Sequence, residues 1–67
     1  MNITVNGKSI EIEENANILQ LLSRLDLHPQ RVAVEVNRAI VKRGAYDSHT
    51  LTKGDEIEIL QFVGGGA

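Results

Sequence analysis

The chain opens on strict alternation. In MNITVNGKSIEIEE, Met1, Ile3 and Val5 fall on one side, and Asn2 and Thr4 on the other. Ile10 and Ile12 then alternate with Ser9, Glu11 and Glu13. A period of two belongs to a strand with one face in a core and the other in water. Between the two runs sits Asn6-Gly7, a pair that tolerates positive φ at both central positions of a type I′ turn. The pattern predicts a β-hairpin with strands at 1–5 and 9–13.

The period then lengthens. Ile18, Leu19, Leu21, Leu22 and Leu25 recur as the apolar stripe of a helix. Asn15 or Asn17 can cap its start, because a short side-chain oxygen accepts from the free N–H groups of the first turn. Pro29 disfavours helix at His28, so the helix is expected over 17–26. In RVAVEVN the alternation returns. Val32, Val34 and Val36 share one face, while Ala33 and Glu35 take the other. Ala39-Ile40-Val41 reads as a short extended piece. The following stretch to Leu51 is irregular, with one helical turn around Gly44 to Asp47. Lys53-Gly54-Asp55 is a turn. In the last strand, Ile57, Ile59 and Gln61 alternate with Glu56, Glu58, Leu60 and Phe62.

A hairpin, one helix and then further strands predict an α+β domain, a mixed sheet with one main helix packed across one face. Parallel neighbours need a long crossover, and the helix supplies it. This is the ubiquitin-like β-grasp order. A ferredoxin-like fold would need a second full helix, and residues 42–50 are too short and too polar to form one.

The last strand is expected mid-sheet, and it runs directly into Gly64, Gly65 and Gly66, with Ala67 last. The expected division is a body over 1–63 and a tail over 64–67. Three extended residues reach at most about 10 Å. Glycine has no Cβ, so such a tail can thread a channel too narrow for other residues. A bare tail on a compact head suits delivery of a C-terminal carboxylate into a partner's active site. A flexible linker has the same composition, but the β-grasp order and the Gln61-Phe62-Val63 run before the glycines favour delivery.

Size and composition narrow the function further. A chain of 67 residues makes one domain and buries only about 60% of its unfolded surface, which leaves little room for a deep pocket. With one Phe, one Tyr and no Trp, a stacking platform for single-stranded nucleic acid is poorly supplied. The net charge of −2 is scattered in both signs, unlike the basic stripe of a nucleic-acid binder. There is no cysteine, hence no disulfide framework and no thiolate zinc site, which favours a cytoplasmic setting. No signal-peptide pattern is visible. The apolar runs fall far below the roughly 20 residues of a membrane helix.

No nucleophile–base set stands out. His28 and His49 are far apart and read as solvent-exposed. Glu56 and Glu58 share one side of a strand, as Glu11 and Glu13 do. Such pairs are usually a solvated face; as a sharper reading, Glu56 and Glu58 could dock on basic groups of a partner. Arg38, Lys42 and Arg43 read as a solvated loop more readily than as a docking patch. Tyr46 reads as a rim residue with its ring packed and its hydroxyl wet. Alternation puts Phe62 and Val63 on opposite faces, so one of them is exposed beside the tail and is a candidate partner contact.

With ITVNG at the start, the Leu-rich helix, VAVEVNRAIVKR in the middle, KGDEIEIL and the QFVGGG ending, the whole chain resembles the ThiS family of sulfur carriers from thiamine thiazole biosynthesis. The middle block and QFVGGG are the specific pieces, since KGDEIEI is common among β-grasp domains. The resemblance implies a protein co-substrate rather than an enzyme. It implies an E1-like adenylating enzyme that uses ATP to join AMP to the terminal glycine, here Gly66. It also implies displacement of AMP by a sulfur nucleophile from a donor such as a cysteine desulfurase. The resulting thiocarboxylate then donates its sulfur to thiazole synthase. No cofactor bound to the carrier is implied, and no nucleic acid or membrane partner. The chain departs from the family ending at Ala67. Three readings stand: a peptidase removes Ala67, Ala67 is an addition to the natural chain, or the protein serves another sulfur pathway such as amino-acid biosynthesis. The molybdopterin synthase small subunit is a rival within the class, although its chains are longer. A non-covalent β-grasp interaction module is the rival outside it.

Overall fold

The computed structural model describes residues 1–62. Five strands form one sheet: β1 (Asn2–Val5), β2 (Lys8–Glu11), β3 (Val32–Val36), β4 (Ala39–Val41) and β5 (Glu56–Gln61), with one α-helix, α1 (Ile18–Arg24). Short 3-10 turns occupy Pro29–Arg31 and Arg43–Ala45. The strand order is β2-β1-β5-β3-β4. β1 and β5 are parallel and the other neighbours antiparallel. This is the expected mixed sheet, and β5 lies at its centre.

The hairpin turns at Asn6 and Gly7, with φ of 49° and 84°, the positive values the sequence pair anticipates. β2 is shorter than the expected 9–13. It ends at Glu11, but the Ile12 N–H still donates to the Met1 carbonyl at 2.8 Å and Ile12 stays buried. Asn15 takes a positive φ of 65° and leaves the cap to Asn17. The Asn17 side chain accepts from the Gln20 N–H, and the Gln20 side chain accepts from the Asn17 N–H, both at 2.8 Å. This reciprocal capping box satisfies two orphan donors at once. α1 is shorter than the expected 17–26 because Asp26 turns left-handed at φ 61°. The Leu27 N–H closes the end on the Leu22 carbonyl at 2.8 Å.

Ile3, Val5, Val32, Val34, Val36, Ile57 and Ile59 face inward from the sheet, and Ile18, Leu21 and Leu22 meet them from the helix. Two residues contradict the sequence reading. Tyr46 is core rather than rim, at 2% exposure. The 3-10 turn before it carries the ring inward, and its hydroxyl donates to the Val32 carbonyl at 3.4 Å instead of to water. His49 is half-buried. Its carbonyl accepts from the Ile18 N–H at 3.3 Å, which draws this segment against the start of α1. Among the described residues no buried side-chain polar atom lacks a partner, and no helix is long and apolar enough to cross a membrane.

Candidate functional site

The helix covers one face of the sheet and leaves the other open. Pairing of Glu35 with both Ile40 and Glu58, and of Ala33 with Leu60, gathers these side chains on the open face. They line a shallow groove of about 240 Å³ together with Val34. Ile40 is 76% exposed and Leu60 67%. For two large aliphatic residues this is unusual burial behaviour, and together they form an apolar spot beside the end of β5. Phe62 follows at the base of the tail, 54% exposed. It borders a second cleft of about 380 Å³ with Asp26, Leu27, His28, Arg31 and Gln61. Phe62 is therefore an exposed apolar residue, as the partner-contact reading requires. Val63, Gly64, Gly65, Gly66 and Ala67 lie outside the described residues.

Glu56 and Glu58 are both exposed on β5. The ion pair found among the described residues is elsewhere, between the Met1 amino group and Glu14 at 3.7 Å. Sequence reading passed over Glu35. Alternation within β3 places it on the outer face, but only the register shows that it sits directly opposite Glu58. Like charges facing each other across an antiparallel pair repel. Replacing Glu58 with glutamine is therefore expected to raise stability by roughly 0.2–0.5 kcal/mol. Urea denaturation measures it, and a loss of stability would contradict the repulsion.

The remaining candidates separate. His28 is exposed, and its Nδ1 accepts from the Gln30 N–H at 3.0 Å, capping the 3-10 turn at Pro29–Arg31. Among the described residues no set of three His, Cys, Asp or Glu is placed to hold a metal ion. Arg38 and Lys42 are exposed, and Arg38 holds a positive φ of 71° beside Asn37 at the β3–β4 turn. Arg43 departs from its reading as part of a solvated loop. Its Nε donates to the Pro29 carbonyl at 3.0 Å and its Nη2 to the Val32 carbonyl at 3.3 Å. Arg43 is a strut between two segments, because these two carbonyls have no strand partner on that side.

Comparison with known proteins gives a consistent picture. The model of the ThiS family matches residues 3–66. A crystal structure of the thiamine biosynthesis protein ThiS from Geobacter metallireducens superposes with a TM-score of 0.84 at 42% identity, covering 98% of this chain and all of that one. The thiazole synthase of Magnetococcus marinus is 41% identical over 66 residues, and this chain spans only 20% of its length. A similar match to the Paramagnetospirillum magneticum thiazole synthase spans 21% of that protein, so the chain covers about one fifth of these relatives. The sulfur carrier protein ThiS of Bacillus subtilis is 35% identical, with 96% of this chain and 98% of that protein covered.

Proposed function

The chain belongs to the ThiS family, and we propose that it is a sulfur carrier of thiamine biosynthesis, a protein co-substrate acted on by other enzymes. The observation that carries this reading is the match across residues 3–66. It takes in the glycine run and joins it to a β-grasp body whose central strand leads to Phe62.

In this reading the body is residues 1–63 and the tail 64–67. An E1-like adenylating enzyme brings ATP, and the carrier itself binds no cofactor. The Gly66 carboxylate attacks the α-phosphorus, pyrophosphate leaves, and a glycyl adenylate results. This mixed anhydride is an activated acyl group. A persulfide sulfur from a donor such as a cysteine desulfurase adds at the carbonyl carbon and AMP departs, giving an acyl disulfide. A thiol of the enzyme then attacks the donor's sulfur, forms a new disulfide with it and releases the thiocarboxylate. That sulfur passes to thiazole synthase. Relatives that bear the name thiazole synthase and contain a segment like this chain support that acceptor. Ala67 is removed by a peptidase beforehand, so that Gly66 becomes terminal. The setting is cytoplasmic. Gly64 and Gly65 thread the narrow approach, since a Cβ at either would widen the chain.

Phe62, Val63, Glu56 and Glu58 contact the partners. The apolar spot of Leu60 and Ile40, with carboxylates beside it, fits a partner patch of apolar residues bordered by basic ones. Phe62→Ala is expected to raise the KM for the carrier by about tenfold, as loss of an exposed anchor does. Its unfolding free energy should stay within about 0.5 kcal/mol of the parent. Steady-state kinetics and urea denaturation measure the two, and an unchanged KM would remove Phe62 from the interface. The test of the whole reading uses ATP labelled at the α-phosphate. With the adenylating enzyme present and no sulfur source, label should accumulate on the carrier trimmed to Gly66. A carrier that stays unlabelled at either length would overturn the proposal.

A further inference from the structure

The end of β5 is held in an unusual way. On one side, β1 stops at Val5, which pairs with Ile57. The chain then turns away at Gly7, so no strand residue remains to meet Ile59. The Asn6 side chain takes that place: its Nδ2 donates to the Ile59 carbonyl at 3.1 Å, and its Oδ1 accepts from the Ile59 N–H at 2.7 Å. In a parallel ladder these two bonds to Ile59 would come from two residues of a longer β1. On the other side, β5 pairs with β3, and the last described bond runs from the Phe62 N–H to the Arg31 carbonyl at 2.9 Å. β3 loses its own outer neighbour at this end, because β4 stops at Val41, the partner of Val34. The Val32 carbonyl, two residues earlier on the same edge, instead accepts from Arg43 Nη2 at 3.3 Å and the Tyr46 hydroxyl at 3.4 Å. Arg43 Nε reaches the Pro29 carbonyl at 3.0 Å. Side chains thus replace absent strand on both flanks of the end of β5.

We infer that Asn6, Arg43 and Tyr46 are positioning residues that fix the point at which the tail leaves the body, and so the depth to which its carboxylate reaches. The inference rests on the proposed delivery of a C-terminal glycine. An extended residue spans about 3.3 Å, and a near-attack geometry needs reacting atoms about 3–3.5 Å apart. Fraying of the base by a single residue therefore displaces the carboxylate by the whole reacting distance. Arg43 and Tyr46 hold Pro29 to Val32, that segment holds Phe62, and Asn6 holds Ile59. None of the three lies on the groove formed by Ile40 and Leu60, so they can set the reach without contributing to docking.

Two measurements test this, hydrogen exchange on the full chain and adenylation on the chain trimmed to Gly66. In Arg43→Gln, amide hydrogen exchange at Phe62 should quicken about tenfold while Leu21 and Val34, in the core, keep their protection. With the adenylating enzyme, kcat for adenylate formation should fall about five- to tenfold while the KM for the carrier stays within twofold, the signature of lost positioning rather than lost binding. Arg43→Lys, which keeps one donor, should fall between the two. Asn6→Gly keeps a residue suited to the positive φ of the turn and removes only the amide, and should lower kcat in the same manner. Unchanged Phe62 exchange in Arg43→Gln, or a rise in KM with kcat unchanged, would overturn the inference. If the parent trimmed to Gly66 accepts no AMP, the sulfur-carrier reading fails by itself, and the Phe62 exchange rate still shows whether the clamp exists.

Discussion

Deleting Gly65 to Ala67 should abolish adenylation and sulfur transfer and leave the body folded. The core and every bond described above lie within residues 1–62, so urea denaturation should give the parent midpoint. Activity should fall to background because the new terminal carboxylate, on Gly64, sits two residues short of Gly66. Two extended residues span about 7 Å, roughly twice the distance at which a carboxylate can attack phosphorus. A binding module without covalent chemistry would keep its partner affinity after the same deletion. Label from ATP and binding to the adenylating enzyme should be measured on one preparation. Retained binding with no label is the expected pair. Normal labelling of the shortened chain would show that the tail does not deliver the reactive group.

Leu21→Ala should remove a large share of the protein's stability, about 2–5 kcal/mol. Leu21 lies in the middle of α1 with no exposed surface, packed among the residues of the single core. Truncating a buried leucine costs about 2–5 kcal/mol, from lost transfer energy and the cavity left behind. A domain of 67 residues has a total stability of roughly 3–10 kcal/mol. With a core this small, few neighbours can close the gap. Leu19 provides the control. It occupies the same short helix at 36% exposure, and Leu19→Ala should cost no more than about 0.5–1 kcal/mol. Chemical denaturation of both variants checks the contrast. A Leu21→Ala variant as stable as Leu19→Ala would mean that the helix does not close the core.

Periodicity and connection length made most of the fold legible in advance. The alternation at Ile3 and Val5, the 3–4 spacing at Ile18, Leu21 and Leu22, and the second alternation at Val32 to Val36 each mark a buried face. The order of the elements then requires a crossover, which puts β5 in the middle. Period says which face a residue takes, but not what it meets there. Glu35 was legible as an outward residue, and its confrontation with Glu58 was not, because the register joins segments more than twenty residues apart. Tyr46 and Arg43 sit in an irregular stretch with no period to read. Their roles arise where β4 ends early and exposes the Val32 carbonyl. Asn6 was legible as a turn residue, and its second role, bonding Ile59 across 53 positions of sequence, leaves no local trace. The site divides the same way. Alternation at the strand end narrowed the exposed residue to Phe62 or Val63, and the structure shows Phe62 exposed, whereas the side chains that steady the strand end are long-range and polar.

Intact mass would decide whether this chain carries sulfur, taken on the full chain and on the chain trimmed to Gly66 after each is incubated with ATP, the adenylating enzyme and a sulfur source. The trimmed chain should exchange one oxygen for sulfur at Gly66, and the full chain should keep its mass unless a peptidase first removes Ala67. The shift should reverse when thiazole synthase and its substrates are added. A full-length product that carries the exchange on Ala67 would contradict the trimming step. A chain that shows no exchange at either length would contradict the claim that it carries sulfur.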